Sequence, residues 1–294
     1  MTGEAAPGYI PYPSVANLVK TRMPGPKIIT IAREPLDRAW SSYNYNYVRD
    51  ALNSIRRGSK YSRYPKNKTD EFYKEHYIFP FEDFIRTELQ LLKKCLEPGG
   101  LAETMSKKKY GKIFNYEMER RETEKLPPMV DIIGICYPQP QNRRNPREQW
   151  KEMIANNPDR YIHTPNLHLL EALIGRGMYS VQVEWWYAAH PTRDNYLVCS
   201  EHLKTKPAET MLNVSQFLGL PDFNFADVVG EGMFNVAGHK GYDHSISWEV
   251  AQKEEETRSE NKAKLSDPLK KELMEFLEEH NERLFALTGK RCPW

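Results

Sequence analysis

The stretch Lys27–Arg49, KIITIAREPLDRAWSSYNYNYVR, constrains the fold more than any other part of the chain. It opens with the β-branched run Ile28-Ile29-Thr30-Ile31-Ala32, bounded by Pro26 and Pro35 and too short for a buried helix. Such a run reads as a buried strand of a parallel sheet. Arg33 and Glu34 form a tight corner, and Pro35 suits the first turn of a helix, where its missing N–H costs nothing. Trp40, Tyr43, Tyr47 and Ala51 then share one face at helical spacing. The unit is strand, polar corner, helix. It aims a helix N-terminus, with free N–H groups, at an anion beyond the strand's C-terminal end. Arg33 brings a forked guanidinium that can hold a phosphate through two bonds. Ser41, eight residues on, brings a hydroxyl that can reach the same phosphate.

At 294 residues the chain is long enough for one sizeable α/β core or two small domains. A hydrophobic content of 39% with 12% aromatics indicates a folded globular protein. The formal charge of +2 gives no global argument for nucleic acid, so any basic function is local. No apolar run approaches membrane-spanning length, and the opening residues do not read as a signal peptide. Cys95, Cys136, Cys199 and Cys292 are far apart and lack zinc-ligand spacing, so no metal site is expected. Cys199 follows an apolar run and reads as buried; the others suit disulfides in an oxidising lumen, with connectivity left open.

Elsewhere the pattern is mainly helical. Val15–Met23 reads as a short helix. Phe79–Cys95 is amphipathic, with Phe81, Phe84, Ile85 and Leu89 facing a core and Pro98-Gly99-Gly100 as its stop. Lys107-Lys108-Lys109 reads as a surface turn. Met129–Tyr137 is a buried strand or helix fragment that periodicity does not distinguish. Leu167–Ala189 returns to helix, interrupted at Gly175-Arg176-Gly177, and Asn195–Cys199 is a second strand. His190 and His202 read as structural. The last helix has Asp267 as N-cap, Pro268 as first residue and Gly289 as stop. Between Arg56 and Lys68, six basic residues and no acidic one are interleaved with Tyr61 and Tyr64. That run is either a solvated loop or a lip for a polyanionic glycan. Asn67-Lys68-Thr69 and Asn213-Val214-Ser215 match the glycosylation triplet.

The pattern R-E-P-x-x-R-A-x-S-x-Y, from Arg33 to Tyr43, resembles the 3′-phosphate-binding motif of sulfotransferases that use 3′-phosphoadenosine 5′-phosphosulfate (PAPS). The best resemblance is to the carbohydrate branch, including heparan sulfate 3-O-sulfotransferases and the chondroitin 4-sulfate 6-O-sulfotransferase. The downstream order is similar too: G-x-Y at Gly177–Tyr179, a Trp-bearing helix, a strand, E-x-L at Glu201–Leu203, and F-L-G-L-P at Phe217–Pro221. Leu273, Phe276, Asn281, Gly289 and Trp294 resemble the family's terminal pattern, and Glu4–Tyr9 resembles the segment before the strand, with Ala6 replacing a Ser.

The resemblance implies an α/β fold: a P-loop-NTPase-like parallel sheet flanked by helices, with 1–294 as one sulfotransferase domain. It further implies PAPS as sulfonate donor, adenosine 3′,5′-bisphosphate as product, and no metal. The acceptor implied is an anionic, glycosaminoglycan-like polysaccharide, in the Golgi lumen or at its membrane, held there only by an anchor outside this chain. Arg33 and Ser41 would bind the 3′-phosphate. Lys240 and Gly241 resemble a Lys-Gly-Arg loop that closes over the nucleotide, although Tyr242 replaces the Arg and the flanking cysteines are absent. Arg56, Arg57, Lys60 and Arg63 would line the acceptor side. The family's 5′-phosphosulfate loop, its catalytic Lys and its Glu are expected upstream, so no catalytic residue is assigned here. Neither Gly25-Pro26-Lys27 nor Gly289-Lys290-Arg291 has the strand–loop–helix context of such a loop. The alternative is a nucleotide- or glycan-binding protein without catalysis; a kinase-like member of the same fold fits the Arg-to-Ser spacing and the tail less well.

Overall fold

A computed structural model describes residues 3–6, 8–57, 64–137, 150–162, 170, 172–234, 245–251, 253 and 265–294. The architecture is mixed α/β and mostly helical. After helix α1 (Pro13–Arg22), strand β1 spans Ile28–Ala32, and helix α2 (Pro35–Tyr43) follows at once. A π-helical turn at Asn44–Val48 links α2 to α3 (Arg49–Arg57). Helices α4 (Asp70–Tyr77), α5 (Phe81–Cys95), α6 (Leu101–Tyr110) and α7 (Asn115–Thr123) come next, then a π-helical turn at Ile132–Cys136 and α8 (Lys151–Asn156). The 3-10 turn Gly175–Gly177 leads into α9 (Tyr179–Ala189), β2 (Asn195–Cys199), α10 (Ser200–Thr205) and α11 (Pro207–Leu218). Helix α12 (Ala226–Gly230), the short antiparallel pair β3 (Met233–Phe234) and β4 (Ser245–Ile246), and the long α13 (Asp267–Thr288) complete the order.

β1 and β2 pair in parallel, Ile28 opposite Asn195 through Ala32 opposite Cys199. Among the described residues these two strands are the parallel sheet. The expectation of a fully buried β1 is corrected. Ile29 is 36% exposed and Ile31 60% exposed, on the same face of the strand because side chains alternate, whereas Ala32 is fully buried. In β2, by contrast, Leu197, Val198 and Cys199 are all buried.

The main core gathers around α5, whose Phe84, Ile85, Leu89 and Leu92 are almost fully buried. The expected apolar face of α2 and its continuation meets it. Tyr43 and Tyr47 pack against Phe84 with ring centroids 5.9 and 5.2 Å apart, and Trp40 meets Phe81 edge-on at 5.2 Å. The tyrosine hydroxyls are satisfied there: Tyr43 donates to the Phe79 carbonyl at 2.6 Å, and the Phe79 N–H donates to Tyr47 at 3.0 Å. The π-helical turn between α2 and α3 adds one residue per turn, so Tyr43, Tyr47, Ala51 and Ile55 all stay on the buried side while Tyr45 is turned outward.

Two disulfides staple the chain, Cys95–Cys136 and Cys199–Cys292. Cys199 is fully buried, as expected, but it is disulfide-bonded, which its apolar neighbours did not indicate. Lys107–Lys109 lie in the last turn of α6 rather than in a turn between elements, where their charges favour the helix C-terminus. The Met129–Tyr137 fragment resolves as the π-helical turn, capped by the Asp131 carboxylate on the Gly134 N–H at 2.8 Å. The N-cap of α13 is Ser266, one residue before the expected Asp267, and Gly289 stops the helix with φ 65°. Residues 167–169 and 171 of the Leu167–Ala189 stretch, and the segments holding Lys60, Arg63, Lys240 and Gly241, lie outside the described residues.

Candidate functional site

The candidate site is the corner between β1 and α2. Arg33 is half-buried at the end of β1, and its Nε is buried without a hydrogen-bond partner. Its guanidinium lies 3.9 Å from the Asp37 carboxylate one turn on, an ion pair too long for a good hydrogen bond. Ser41 is exposed on the same face of α2, a further turn along. Arg33, Asp37 and Ser41 therefore form one stripe, with an acidic group between the two predicted phosphate ligands.

The helix N-terminus itself departs from expectation. Glu34 is the N-cap of α2, and its carboxylate accepts the Leu36 and Asp37 N–H groups at 3.0 and 2.5 Å. The N–H groups expected to face an anion are therefore already satisfied from within the chain. Any anion gripped at this corner relies on side chains, Arg33 first.

Distant segments hold the corner in shape. The Arg33 N–H donates to the Tyr179 hydroxyl at 3.3 Å, and the Glu34 N–H to the Glu201 carboxylate at 2.9 Å. The 3-10 turn Gly175–Gly177 lies directly against the start of α2: a Cβ on Gly177 would come within 3.0 Å of the Pro35 Cβ. Arg38 donates from the second turn of α2 to the Ala172 and Leu173 carbonyls, at 3.2 and 2.5 Å. Burial lowers the Arg38 pKa from its ordinary value, and the nearby Arg176 adds to that. Arg176 reaches the Tyr12 hydroxyl at 3.4 Å. Arg38 and Arg176 share a feature with Arg33, a buried Nε with no acceptor.

Behind this turn sits Glu88 of α5, only 2% exposed. Its carboxylate accepts the Leu173, Ile174 and Gly175 N–H groups at 2.9, 2.9 and 3.0 Å, and the Tyr137 hydroxyl. Burial pushes its pKa up to about 7, against the pull of those donors and of Arg38. The turn is thus fixed on both sides, by Arg38 at its carbonyls and Glu88 at its N–H groups.

Two of the predicted acceptor-side residues, Arg56 and Arg57, are described, both on α3. Arg56 is paired with Asp70, so its charge is partly used at home. Arg57 ends α3, while Lys60 and Arg63 lie outside the described residues, as do Lys240 and Gly241. His190 is buried with Nε2 3.1 Å from the Ala16 carbonyl and stacks on Trp186, in keeping with a structural part. Glu88, Arg176 and the cross-contacts of Tyr179, Glu201 and Trp294 were not picked out from sequence as site residues. Their only sequence signals were the G-x-Y, E-x-L and closing Trp patterns, which carry no contact information.

No protein-family model matches the chain. The chain is similar to a membrane-associated sulfotransferase of Dictyostelium discoideum, with 20% identity over 301 aligned residues. The alignment covers 100% of this chain and 53% of the relative, so the chain spans about half the length of the curated relative it matches. Among the described residues no helix is long and apolar enough to cross a membrane. Among the same residues no group of three or more His, Cys, Asp or Glu side chains could hold a metal ion.

Proposed function

We propose that this chain is the nucleotide-gripping part of a sulfotransferase, which moves a sulfonate group from PAPS to a hydroxyl of an anionic glycan. The observation that carries the reading is Arg33: a guanidinium at the end of a parallel strand, with a buried donor lacking an acceptor, in line with an exposed Ser41 hydroxyl on the following helix. A buried, unpaired donor is costly, and an anionic ligand that accepts from it removes that cost. The sulfotransferase relative supports the same chemistry.

In the reaction the acceptor oxygen attacks sulfur. The bond from sulfur to the bridging phosphate oxygen breaks, the electron pair leaves with the 5′-phosphate, and a base takes the hydroxyl proton. Arg33 and Ser41 would hold the 3′-phosphate and so fix the donor's orientation, an entropic contribution rather than a chemical one. Lys240 and Gly241 would close over the nucleotide. Arg56, Arg57, Lys60 and Arg63 would attract the acceptor, a glycosaminoglycan-like chain met in the Golgi.

Calorimetric titration with adenosine 3′,5′-bisphosphate and with adenosine 5′-phosphate tests the reading. The bisphosphate binds at least tenfold tighter if the corner reads the 3′-phosphate. Equal affinity for the two nucleotides removes the proposal. Tight bisphosphate binding by a complete protein that transfers no sulfonate would favour the non-catalytic alternative.

A further inference from the structure

Arg33 is bracketed by two backbone amides, its own and that of Glu34, and each is accepted by a side chain from far along the chain. Both acceptors are braced by one residue. Trp294 donates its indole N–H to Glu201 Oε2 at 2.8 Å, while Glu201 Oε1 takes the Glu34 N–H. The Trp294 ring also lies 6.2 Å from the Tyr179 ring, whose hydroxyl takes the Arg33 N–H, and 5.4 Å from Phe285 of α13. The segment carrying Trp294 is tied down two residues earlier by Cys292, bonded to Cys199. Cys199 is the β2 residue in register with Ala32, immediately before Arg33.

We infer that Trp294, through Glu201 and Tyr179, is a positioning residue for Arg33, and that the Cys199–Cys292 bond makes this bracing dependent on thiol oxidation. The inference rests on the proposed nucleotide site for its functional meaning, but the bracing itself is independent of it. An indole fits the task because it combines a flat apolar face for Tyr179 and Phe285 with one N–H for the carboxylate. The Ser200 hydroxyl, also on Glu201 at 3.1 Å, leaves that carboxylate with donors from three places: the corner, α10 and the Trp294 segment.

The test uses Trp294→Phe, Trp294→Ala and the double variant Cys199→Ala/Cys292→Ala, each checked by circular dichroism to be folded at the working temperature. Amide hydrogen exchange reads Arg33 and Glu34 directly, with the α5 amides as internal reference. Trp294→Ala should speed exchange at both corner amides by about tenfold or more, the scale of one lost hydrogen bond, with α5 unchanged. Trp294→Phe, which keeps an aromatic ring, though a smaller one, and loses the N–H, should affect Glu34 more than Arg33. The disulfide variant should resemble Trp294→Ala. Unchanged corner exchange in a folded Trp294→Ala variant overturns the inference, as does acceleration spread equally over α5. In parallel, affinity for adenosine 3′,5′-bisphosphate should fall about tenfold in Trp294→Ala. If the unaltered chain does not bind the bisphosphate, the nucleotide reading fails, and the bracing stands or falls on exchange alone.

Discussion

Two sets of arginines in this molecule are treated in opposite ways. At the seam between α7, α9 and α13, Arg121 and Arg283 close on one buried carboxylate. Arg121 reaches Glu184 at 2.8 Å, and Arg283 reaches it at 2.6 and 2.5 Å through Nε and a terminal nitrogen. Further donors reach backbone, Arg121 Nε the Pro127 carbonyl at 2.8 Å and Arg283 the Pro128 carbonyl at 3.2 Å, and Arg121 also lies 3.7 Å from the Glu117 carboxylate. At the β1–α2 corner, Arg33, Arg38 and Arg176 each keep a buried Nε with no acceptor. The seam shows what this chain does with an arginine whose work is packing. The corner departs from that standard three times over, in residues drawn together from two distant parts of the sequence. Unsatisfied donors of one sign, gathered beside a strand's C-terminal end, are what the proposed anion site would require.

The contrast can be broken by substitution. Glu184→Ala deprives two largely buried guanidiniums of their shared carboxylate and should cost about 3–5 kcal/mol of stability, read from urea midpoints, without changing nucleotide affinity in the folded protein. A loss under about 1 kcal/mol would mean that the seam is no tighter than the corner.

Glu88 supplies the next largest effect. Its raised pKa means that the folded state holds a proton that the unfolded state has released between the ordinary value of 4.5 and about 7. Its contribution is therefore fully present below pH 4.5 and is lost as pH rises to about 7, on the order of 3 kcal/mol. Urea titrations across that range should show a falling stability that flattens in Glu88→Gln; identical slopes in the two proteins would refute the assignment. His280 runs the other way. Burial lowers its pKa to about 4, so its contribution is present above pH 6.5 and is lost as pH falls through about 4. His280→Phe should remove that acid-side loss.

Arg33→Ala should weaken binding of adenosine 3′,5′-bisphosphate by about 1.5–3 kcal/mol, the scale of a charged hydrogen bond, and leave the urea midpoint nearly unchanged. The reverse pattern, intact binding with lost stability, would place Arg33 with the seam arginines. The smallest effect belongs to Arg56→Ala. Its partly exposed pair with Asp70 should contribute no more than about 1 kcal/mol, and any larger fall in glycan binding than in stability would favour the acceptor role.

The strand–corner–helix unit was legible because each part has a local cause: β-branched residues for β1, a proline at the start of α2, and tyrosines at helical spacing for its buried face. The parallel pairing with Asn195–Cys199 agreed with the expected second strand. What was not legible is whatever depends on a partner far away in sequence. The exposure of Ile29 and Ile31 follows from what lies over one face of β1, which the residues of β1 do not encode. Glu34 looked like part of a loop, yet its carboxylate folds back onto the helix that follows and takes the N–H groups expected to face an anion. Cys199 looked like a buried apolar residue because its neighbours are apolar; its partner lies 93 residues on.

That same distance sets an order in time. Glu34 and Glu201, which meet at the corner, are 167 residues apart, whereas the backbone bonds inside each helix close over four residues. Loop closure makes the remote pairings slow, while helices form locally and fast. Refolding should therefore recover the helical signal early and binding late, most of all under reducing conditions that leave Cys199 and Cys292 apart. Because helices dominate the described residues, far-ultraviolet dichroism would register such a chain as nearly complete while the Arg33 corner was still open.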